Sequence, residues 1–260
     1  MYPELLGFIK SYGLMLATSF GLGMWLSVRR GRPYGLKPEV ILDLVFGVLV
    51  SSLVGVRLLF VLTHLSQFHP WYHAFYIWDG GLTLYGGILL SIIVVWVMTR
   101  RRGIPFLVIA DIFSPGVILG IGITRIGCFL AGCCFGRPTG CSCAVTFPQY
   151  APASKMFGVV PVHPSQLYAS AAGFLTFGLL LLMERWSPLR GATFGRFLVL
   201  YGVSRFVVDF SRYYEPEQIV MLGWSNNQWI SLGFVTIGSM LLVLSAKGVL
   251  GGPWRAEDNA

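Results

Sequence analysis

One segment, residues 125–139 (RIGCFLAGCCFGRPT), combines an arginine with three of the five cysteines at the end of a long apolar run. Arg125 would therefore place a guanidinium inside the bilayer or at its edge. A charge at the centre of a membrane helix costs about 2.5 to 3.5 kcal/mol on insertion scales and is usually kept for a function. The segment indicates an anion site in which Arg125 binds the anion.

Two further arginines, Arg57 and Arg205, also lie within or at the ends of apolar runs. They could snorkel or pair with Asp79, Asp111 or Asp209, or they could bind a lipid phosphate, and the sequence leaves both explanations open. Arg205 and Asp209 are four residues apart on one predicted helix, so they share a face. We expect an ion pair there that orients the guanidinium.

A glycine-rich segment, residues 79–87 (DGGLTLYGG), ends in Gly86 and Gly87. Uncovered backbone amides at a helix start suit a phosphate group, whereas small residues also allow two membrane helices to pack closely. The spacing favours neither explanation.

A third segment begins with His163, Pro164 and Ser165, a pattern typical of a helix start. A histidine beside a membrane helix is more often a capping or interfacial residue than a catalyst. We expect His163 to be a candidate base only if its ring points toward the arginines.

The chain as a whole is too apolar for a soluble domain. Of its 260 residues 55% are hydrophobic and 12% charged, and the mean hydropathy is +0.70, which is typical of a multi-spanning membrane protein. Seven apolar runs are long enough to cross a hydrocarbon core of about 30 Å. They are residues 8–28, 40–62, 82–99, 105–124, 166–183, 194–213 and 228–246.

These runs predict an all-α polytopic membrane protein with about seven transmembrane helices and a small extracytoplasmic cap. We expect residues 1–250 to form a single transmembrane domain, with the cap built from about residues 63–80 and 131–165, and residues 251–260 to form a cytoplasmic tail. The first span is interpreted as a retained helix and not as a signal peptide.

Basic residues predict the orientation. They cluster after the first, third, fifth and seventh spans, which places the N-terminus outside and the C-terminus in the cytoplasm. The net charge of +8 is then a topology signal plus attraction to anionic lipid, and we expect no nucleic-acid partner.

All five cysteines fall within sixteen residues: Cys128, Cys133, Cys134, Cys141 and Cys143. One or two disulfides bracing an extracytoplasmic loop are one interpretation. A reactive thiol beside Arg125, with its pKa lowered by that charge, is another. A zinc site is less favoured, because the spacing is not two well-separated pairs and oxidation would compete. We therefore predict no metal and no cofactor.

Six segments, in chain order, resemble the prolipoprotein diacylglyceryl transferase family, and the similarity runs nearly end to end. They are Tyr12-Gly13-Leu14, GVRLLFVL at 55–62, DGGLTLYGG at 79–87, RIGCFLAGCCFGRPT at 125–139, HPSQLY at 163–168 and RFVVDFSR at 205–212.

The resemblance implies a reaction at the outer face of the bacterial inner (cytoplasmic) membrane. A diacylglyceryl group would move from phosphatidylglycerol to the lipobox cysteine thiol of a prolipoprotein, releasing glycerol phosphate. Arg125 and Arg205 match the family's two essential arginines and would neutralise the departing phosphate. The implied substrate-binding residues are Tyr12, Arg57, Gly86, Gly87, Cys128, Cys133, Gly136, His163 and Asp209.

Four positions depart from the family pattern: Tyr85 replaces a histidine, Cys128 an asparagine, Cys133 a glutamate and Ala169 an acidic residue. We predict Tyr85 as the third catalytic residue, with its phenol assisted by arginine; His163 or an incoming group could take the proton instead. A related lipid-modifying enzyme with a different acceptor and a non-catalytic lipid-binding or scaffold protein both remain open alternatives.

Overall fold

The computed structural model describes residues 4–5, 9–65, 83–184, 189–215, 218–252 and 254. It is 74% helical. The long helices are α1 (Ser11–Gly31), α2 (Pro38–Thr63), α3 (Leu84–Arg101) and α4 (Phe106–Ala131). After the short α5 (Pro152–Phe157) follow α6 (Ser165–Glu184), α7 (Ala192–Asp209) and α8 (Asn226–Ala246). Each of the seven predicted apolar runs overlaps one of the long helices.

Four helices in the described part of the chain are long and apolar enough to cross a membrane: α2, α4, α6 and α8. The remaining long helices, α1, α3 and α7, also contain charged residues. Arg29 and Arg30 end α1, Arg100 and Arg101 end α3, and α7 contains two arginines and an aspartate. The molecule is therefore a helical protein of membrane type.

Residues 28–109 form one compact unit, built on the packing of α2 against α3. The two helices touch at Gly55 and Gly86, where a Cβ on either glycine would meet the carbonyl oxygen of the other. A Cβ on Gly87 would lie 2.7 Å from a Val56 methyl group. Small residues are thus required for this close contact.

The other unit comprises residues 1–27 and 110–254. Ile118, Leu180, Phe197 and Leu198 form the centre of its helical core. Asp111 is buried and accepts hydrogen bonds from the backbone amides of Gly191 (2.6 Å) and Phe194 (2.7 Å). This carboxylate thereby binds the positive N-terminal end of α7.

A segment of this unit without long helices lies between α4 and α6. It contains α5 and two short antiparallel strands, β3 (Val145–Thr146) and β4 (Pro161–Val162), numbered after the N-terminal pair β1 (Glu4–Leu5) and β2 (Ile9–Lys10). Phe147, Ala151, Ala153 and Val162 form a small core of its own. The cap predicted over residues 131–165 includes this segment, and its extracytoplasmic position stays a prediction. The other predicted cap segment, residues 63–80, lies mostly outside the described residues, as do Asp79 and most of the tail.

Candidate active site

Arg205 is held by an ion pair and a tyrosine. Its Nη2 lies 3.0 Å from Oδ1 of Asp209, one helical turn further along α7, and donates to the Tyr214 hydroxyl at 2.9 Å. Tyr214 in turn donates to the same Asp209 oxygen at 2.6 Å. The expected ion pair is therefore present, and a closed triangle of contacts fixes the guanidinium plane.

Asp209 has a second set of partners at the start of α8. Its Oδ2 accepts a hydrogen bond from the Ser225 hydroxyl, and Ser225 is the N-cap of α8 in a capping box with Gln228. Burial raises the pKa of Tyr214, which keeps the phenol protonated as a donor to Asp209. The Asp209 side chain has no exposed surface, so the ion pair and these hydrogen bonds replace the water that a carboxylate would otherwise bind.

A cavity beside this network brings Arg205 and Arg125 together. Apolar residues of α4 and α6 line it, together with the hydroxyl-bearing residues Tyr201 and Ser204 of α7. Nη1 of Arg205 is buried and has no hydrogen-bond partner within the described residues. A buried guanidinium N–H without an acceptor favours an anionic ligand in this cavity.

A cluster of three thiols, Cys128, Cys133 and Cys134, lies at the end of α4, and their Sγ atoms are all within 4.8 Å of one another. Gly132 has φ +70°, its amide donates to Phe129 O, and the Cys133 amide donates to Cys128 O, both at 3.1 Å. These two bonds form a Schellman motif, which stacks the residue after the glycine on the residue five positions earlier. Helix-end geometry therefore places Cys133 beside Cys128.

Cys134 joins this thiol cluster through an unusual backbone conformation with φ 58°. Hydrogen bonds from the Cys128 and Cys133 thiols lower the pKa of Cys134, and nearby Arg212 and Arg125 lower it further. The pKa of Cys133 is raised, chiefly by its hydrogen bond with Cys128. Cys134 and the Arg125 guanidinium therefore interact electrostatically.

Tyr12 lies next to the thiol cluster. Its phenol interacts electrostatically with the three cysteines and with Arg125, because α1 packs closely on α4 at Gly127, where a Cβ would lie 2.9 Å from Met15 Cβ and 3.4 Å from Tyr12 Cα. The predicted residues Tyr12, Arg125, Cys128 and Cys133 are therefore neighbours.

Gly136 and His163 are joined through the backbone. The Gly136 amide donates to His163 O at 3.0 Å, and a Cβ on Gly136 would meet Ser165 Oγ, Ser211 O and His163 Cβ. The His163 ring contacts the Tyr168 hydroxyl (Nδ1 to Oη, 3.4 Å). That hydroxyl also lies 3.1 Å from Cys143 Sγ, and Cys143 forms a disulfide with Cys141.

Comparison with known proteins identifies the family of the chain. The family model described as prolipoprotein diacylglyceryl transferase matches residues 4–244.

The chain belongs to the prolipoprotein diacylglyceryl transferase family.

Curated relatives named phosphatidylglycerol–prolipoprotein diacylglyceryl transferase are similar over most of their length. The Bordetella avium protein is 34% identical over 249 residues, 92% of this chain and 91% of the relative. The Idiomarina loihiensis protein is 34% identical over 248 residues, 92% of this chain and 89% of the relative. The Chromohalobacter salexigens protein is 34% identical over 227 residues, covering 85% and 80%.

Four predicted site residues of this diacylglyceryl transferase family member lie in the unit formed by residues 28–109. The Tyr85 side chain is 46% exposed. Gly86 and Gly87 form the close contact of α3 with α2, and the Gly86 amide donates to Thr83 O at 3.0 Å. Close helix packing therefore accounts for both glycines without a phosphate. Arg57 is buried, with its guanidinium carbon 5.8 Å from the centre of the Phe60 ring.

Sequence reasoning missed several functional neighbours in this diacylglyceryl transferase family member. Tyr214, Ser225 and Asn227 complete the Asp209 network, with the Asn227 amide donating to Tyr214 at 3.1 Å. Gln166 fixes the turn after α4 by donating to Cys133 O at 2.7 Å. One signal was available: Ser225 and Gln228 have the spacing of a capping box. Gln166 lies in the first turn of α6, and its side chain bonds across the unit to the end of α4.

Proposed function

We propose that this protein transfers the diacylglyceryl group of phosphatidylglycerol to the lipobox cysteine thiol of a prolipoprotein. The observation that carries the proposal is the cavity in which Arg125 and Arg205 meet, with the free Nη1 of Arg205 available for a phosphate oxygen. Family membership supplies the reaction class. A non-catalytic scaffold would have less reason to hold two cations at an open cavity.

The arginines stabilise the charge that develops as the phosphate leaves. The acceptor sulfur attacks the glyceryl carbon that carries the phosphate, the C–O bond breaks, and glycerol phosphate departs with the electron pair. Arg205 is oriented before the substrate arrives, since Asp209 and Tyr214 already hold its other nitrogen. Such preorganised donors need no rearrangement in the transition state.

The proton of the acceptor thiol must be removed, and we propose that Tyr85, assisted by arginine, accepts it on its phenolate oxygen, with Arg125 and Arg205 as the other catalytic groups. The remaining substrate contacts are proposed to be Tyr12, Arg57, Gly136, His163, Cys128 and Cys133. Asp209 acts through Arg205, and Gly86 and Gly87 act by bringing α3 close to α2. The His163 ring contacts the Tyr168 hydroxyl. This contact favours a role for His163 in positioning the backbone that follows β4, and not in catalysis.

The proposed location is the bacterial inner membrane, with all seven long helices crossing it and residues 1–250 forming one transmembrane domain. Arginines at the ends of α1 and α3 support a cytoplasmic position for these ends. The N-terminus and the thiol cluster are then on the outer side, and the tail is cytoplasmic. Phosphatidylglycerol would enter the cavity from the bilayer and the prolipoprotein signal peptide from its outer leaflet.

Complementation tests the proposal. The chain is expressed in a bacterium depleted of its own diacylglyceryl transferase, and precursor processing is followed by gel shift and mass. We expect rescue by the native sequence and by Arg102→Ala, which removes a partly exposed guanidinium paired with Asp43. Arg125→Ala and Arg205→Ala should not rescue growth or precursor processing. Tyr85→Phe removes only the phenol hydroxyl and tests whether processing requires it. Correct membrane insertion without any rescue by the native chain would contradict the proposed reaction and favour a different acceptor or a scaffold.

A further inference from the structure

The thiol cluster has the ligand count and spacing of a metal site. Two sulfurs bound to one tetrahedral zinc ion are about 3.8 Å apart, given Zn–S bonds of about 2.3 Å. The three Sγ atoms are within 4.8 Å of one another, so rotamer shifts of about 1 Å would bring all three onto one ion. The Schellman turn and the positive φ of Cys134 hold the backbone in the conformation that makes this possible.

Disulfide bonds cannot pair all three thiols of this cluster. Cys141 and Cys143 are already paired with each other, and Cys128, Cys133 and Cys134 are free. Three thiols form at most one bond among themselves, which leaves one thiol without a partner. A thiophilic cation uses all three, and the charge of Arg125 and Arg212 beside Cys134 offsets the excess negative charge of three thiolates on a divalent ion.

Three protein ligands with a fourth position open are typical of zinc sites that act on a substrate, whereas structural zinc sites have four protein ligands. We propose that Cys128, Cys133 and Cys134 bind one zinc ion and that its fourth position receives the thiol of the acceptor cysteine. The metal site is independent of the reaction, while the role of the fourth ligand rests on the proposed function. The cysteine spacing predicted no metal site. The structure favours one because the turn at the end of α4, which the spacing does not show, brings the three thiols together.

The proposed transfer of the diacylglyceryl group to the zinc-bound thiolate needs no oxidant or reductant. Each protein thiol loses a proton to solvent when zinc binds. The acceptor thiol becomes more acidic in the fourth position and passes its proton to Tyr85, the base proposed above. Its sulfur lone pair forms the C–S bond while the C–O bond to the phosphate breaks. Glycerol phosphate leaves with that electron pair toward the arginines, and the thioether product, a weaker ligand than a thiolate, leaves the metal.

Metal content tests the site. The full chain, purified in detergent micelles from zinc-supplemented medium, should contain about one zinc per chain by elemental mass spectrometry. Cys128→Ser, Cys133→Ser and Cys134→Ser should each lower it to about one tenth or less. The matched control is the double variant Cys141→Ser/Cys143→Ser, which removes two sulfurs from the disulfide and should retain the zinc. Zinc retained by all three single variants, or absent from the native chain, overturns the site.

Cobalt substitution of the native protein tests the fourth position and does not depend on any variant. Cobalt-loaded protein should show thiolate-to-cobalt charge-transfer absorption, which increases when a peptide with a lipobox cysteine is added. The same peptide with serine in place of cysteine should leave the spectrum unchanged. Equal spectra with both peptides overturn the proposed binding of the acceptor thiol.

A transfer assay separates this inference from the proposed function. Transfer by wild-type protein stripped of zinc, at an unchanged rate, overturns the role of zinc and leaves the diacylglyceryl transfer intact. Zinc binding with the cysteine-specific cobalt change, but without transfer from phosphatidylglycerol, supports the site and contradicts the reaction.

Discussion

The arginine cavity and the thiol cluster are positioned in opposite ways, although Arg125 belongs to both. Arg205 is oriented by side chains from three separate parts of the chain, through Asp209, Tyr214 and Ser225. The thiol cluster depends mainly on one turn of backbone around Gly132. The orientation of Arg205 in the arginine cavity therefore depends on tertiary contacts, whereas the thiol cluster depends on local backbone conformation. Substitutions should affect the two regions differently.

Arg205→Ala should have the largest effect. Loss of one preorganised donor lowers the rate of transfer by about 100-fold or more, and Asp209 left buried without its cation lowers the free energy of unfolding by about 3 to 5 kcal/mol. Transfer of a labelled diacylglyceryl group and thermal unfolding measure the two effects. The double variant Arg205→Ala/Asp209→Asn should recover stability without recovering transfer. Recovery of transfer in the double variant would show that Arg205 is only structural.

Gly136→Ala should come next. A Cβ there would overlap Ser165 Oγ and Ser211 O, and such overpacking costs about 1 to 3 kcal/mol of unfolding free energy. Gly140→Ala is the matched control, because a Cβ at Gly140 meets no atom within 4 Å, and it should stay within about 0.5 kcal/mol of wild type. Equal unfolding temperatures for the two variants would mean that the crowding at Gly136 is relieved at little cost.

Gly132→Ala should disturb the thiol cluster and leave the arginine cavity intact. An alanine at φ +70° with its Cβ 2.9 Å from Ala151 Cβ costs about 1 to 2 kcal/mol and moves Cys133 away from Cys128. Reaction of the free thiols with a maleimide should become faster in the native state. Gly178→Ala, at a helical position with open space, should leave that rate unchanged. An unchanged rate in Gly132→Ala would contradict control of the cluster by this turn.

Ser225→Ala should have the smallest effect, about 1 kcal/mol, through loss of the N-cap of α8. The change also removes one donor to Asp209, so transfer should fall by a modest factor while Arg205 stays paired. Thermal unfolding beside Ser142→Ala, which alters an exposed loop hydroxyl, measures the difference. A loss of transfer as large as that of Arg205→Ala would mean that Ser225 contributes to orienting the cation as much as Asp209 does.

The positions of the helices could be predicted because the length of an apolar run reflects the thickness of a bilayer. The Arg205–Asp209 pair could also be predicted, because a spacing of four residues places two side chains on one helix face. The contacts of Tyr214 and Asn227 could not be predicted, because they arise only when α7 and α8 pack. Cys134 was missed as a cluster member for a different reason: a cysteine with φ 58° is not apparent from composition.

Glycines were ambiguous for a physical reason as well. Gly86 and Gly87 have the composition of a phosphate loop and of a helix contact, and only the distances to α2 distinguish the two. In contrast, Gly132 at the end of an apolar run already indicated a helix C-terminus, so the approach of Cys133 to Cys128 was accessible in principle.

The decisive measurement uses the purified full chain in phosphatidylglycerol vesicles with a lipobox cysteine peptide. Mass spectrometry of the peptide and enzymatic detection of glycerol phosphate are followed together. Transfer through the arginine cavity predicts one glycerol phosphate for each diacylglyceryl group on the peptide sulfur, with both products reduced by about 100-fold in Arg205→Ala. Equal yields in wild type and Arg205→Ala, or no thioether from the wild-type protein, would contradict the account.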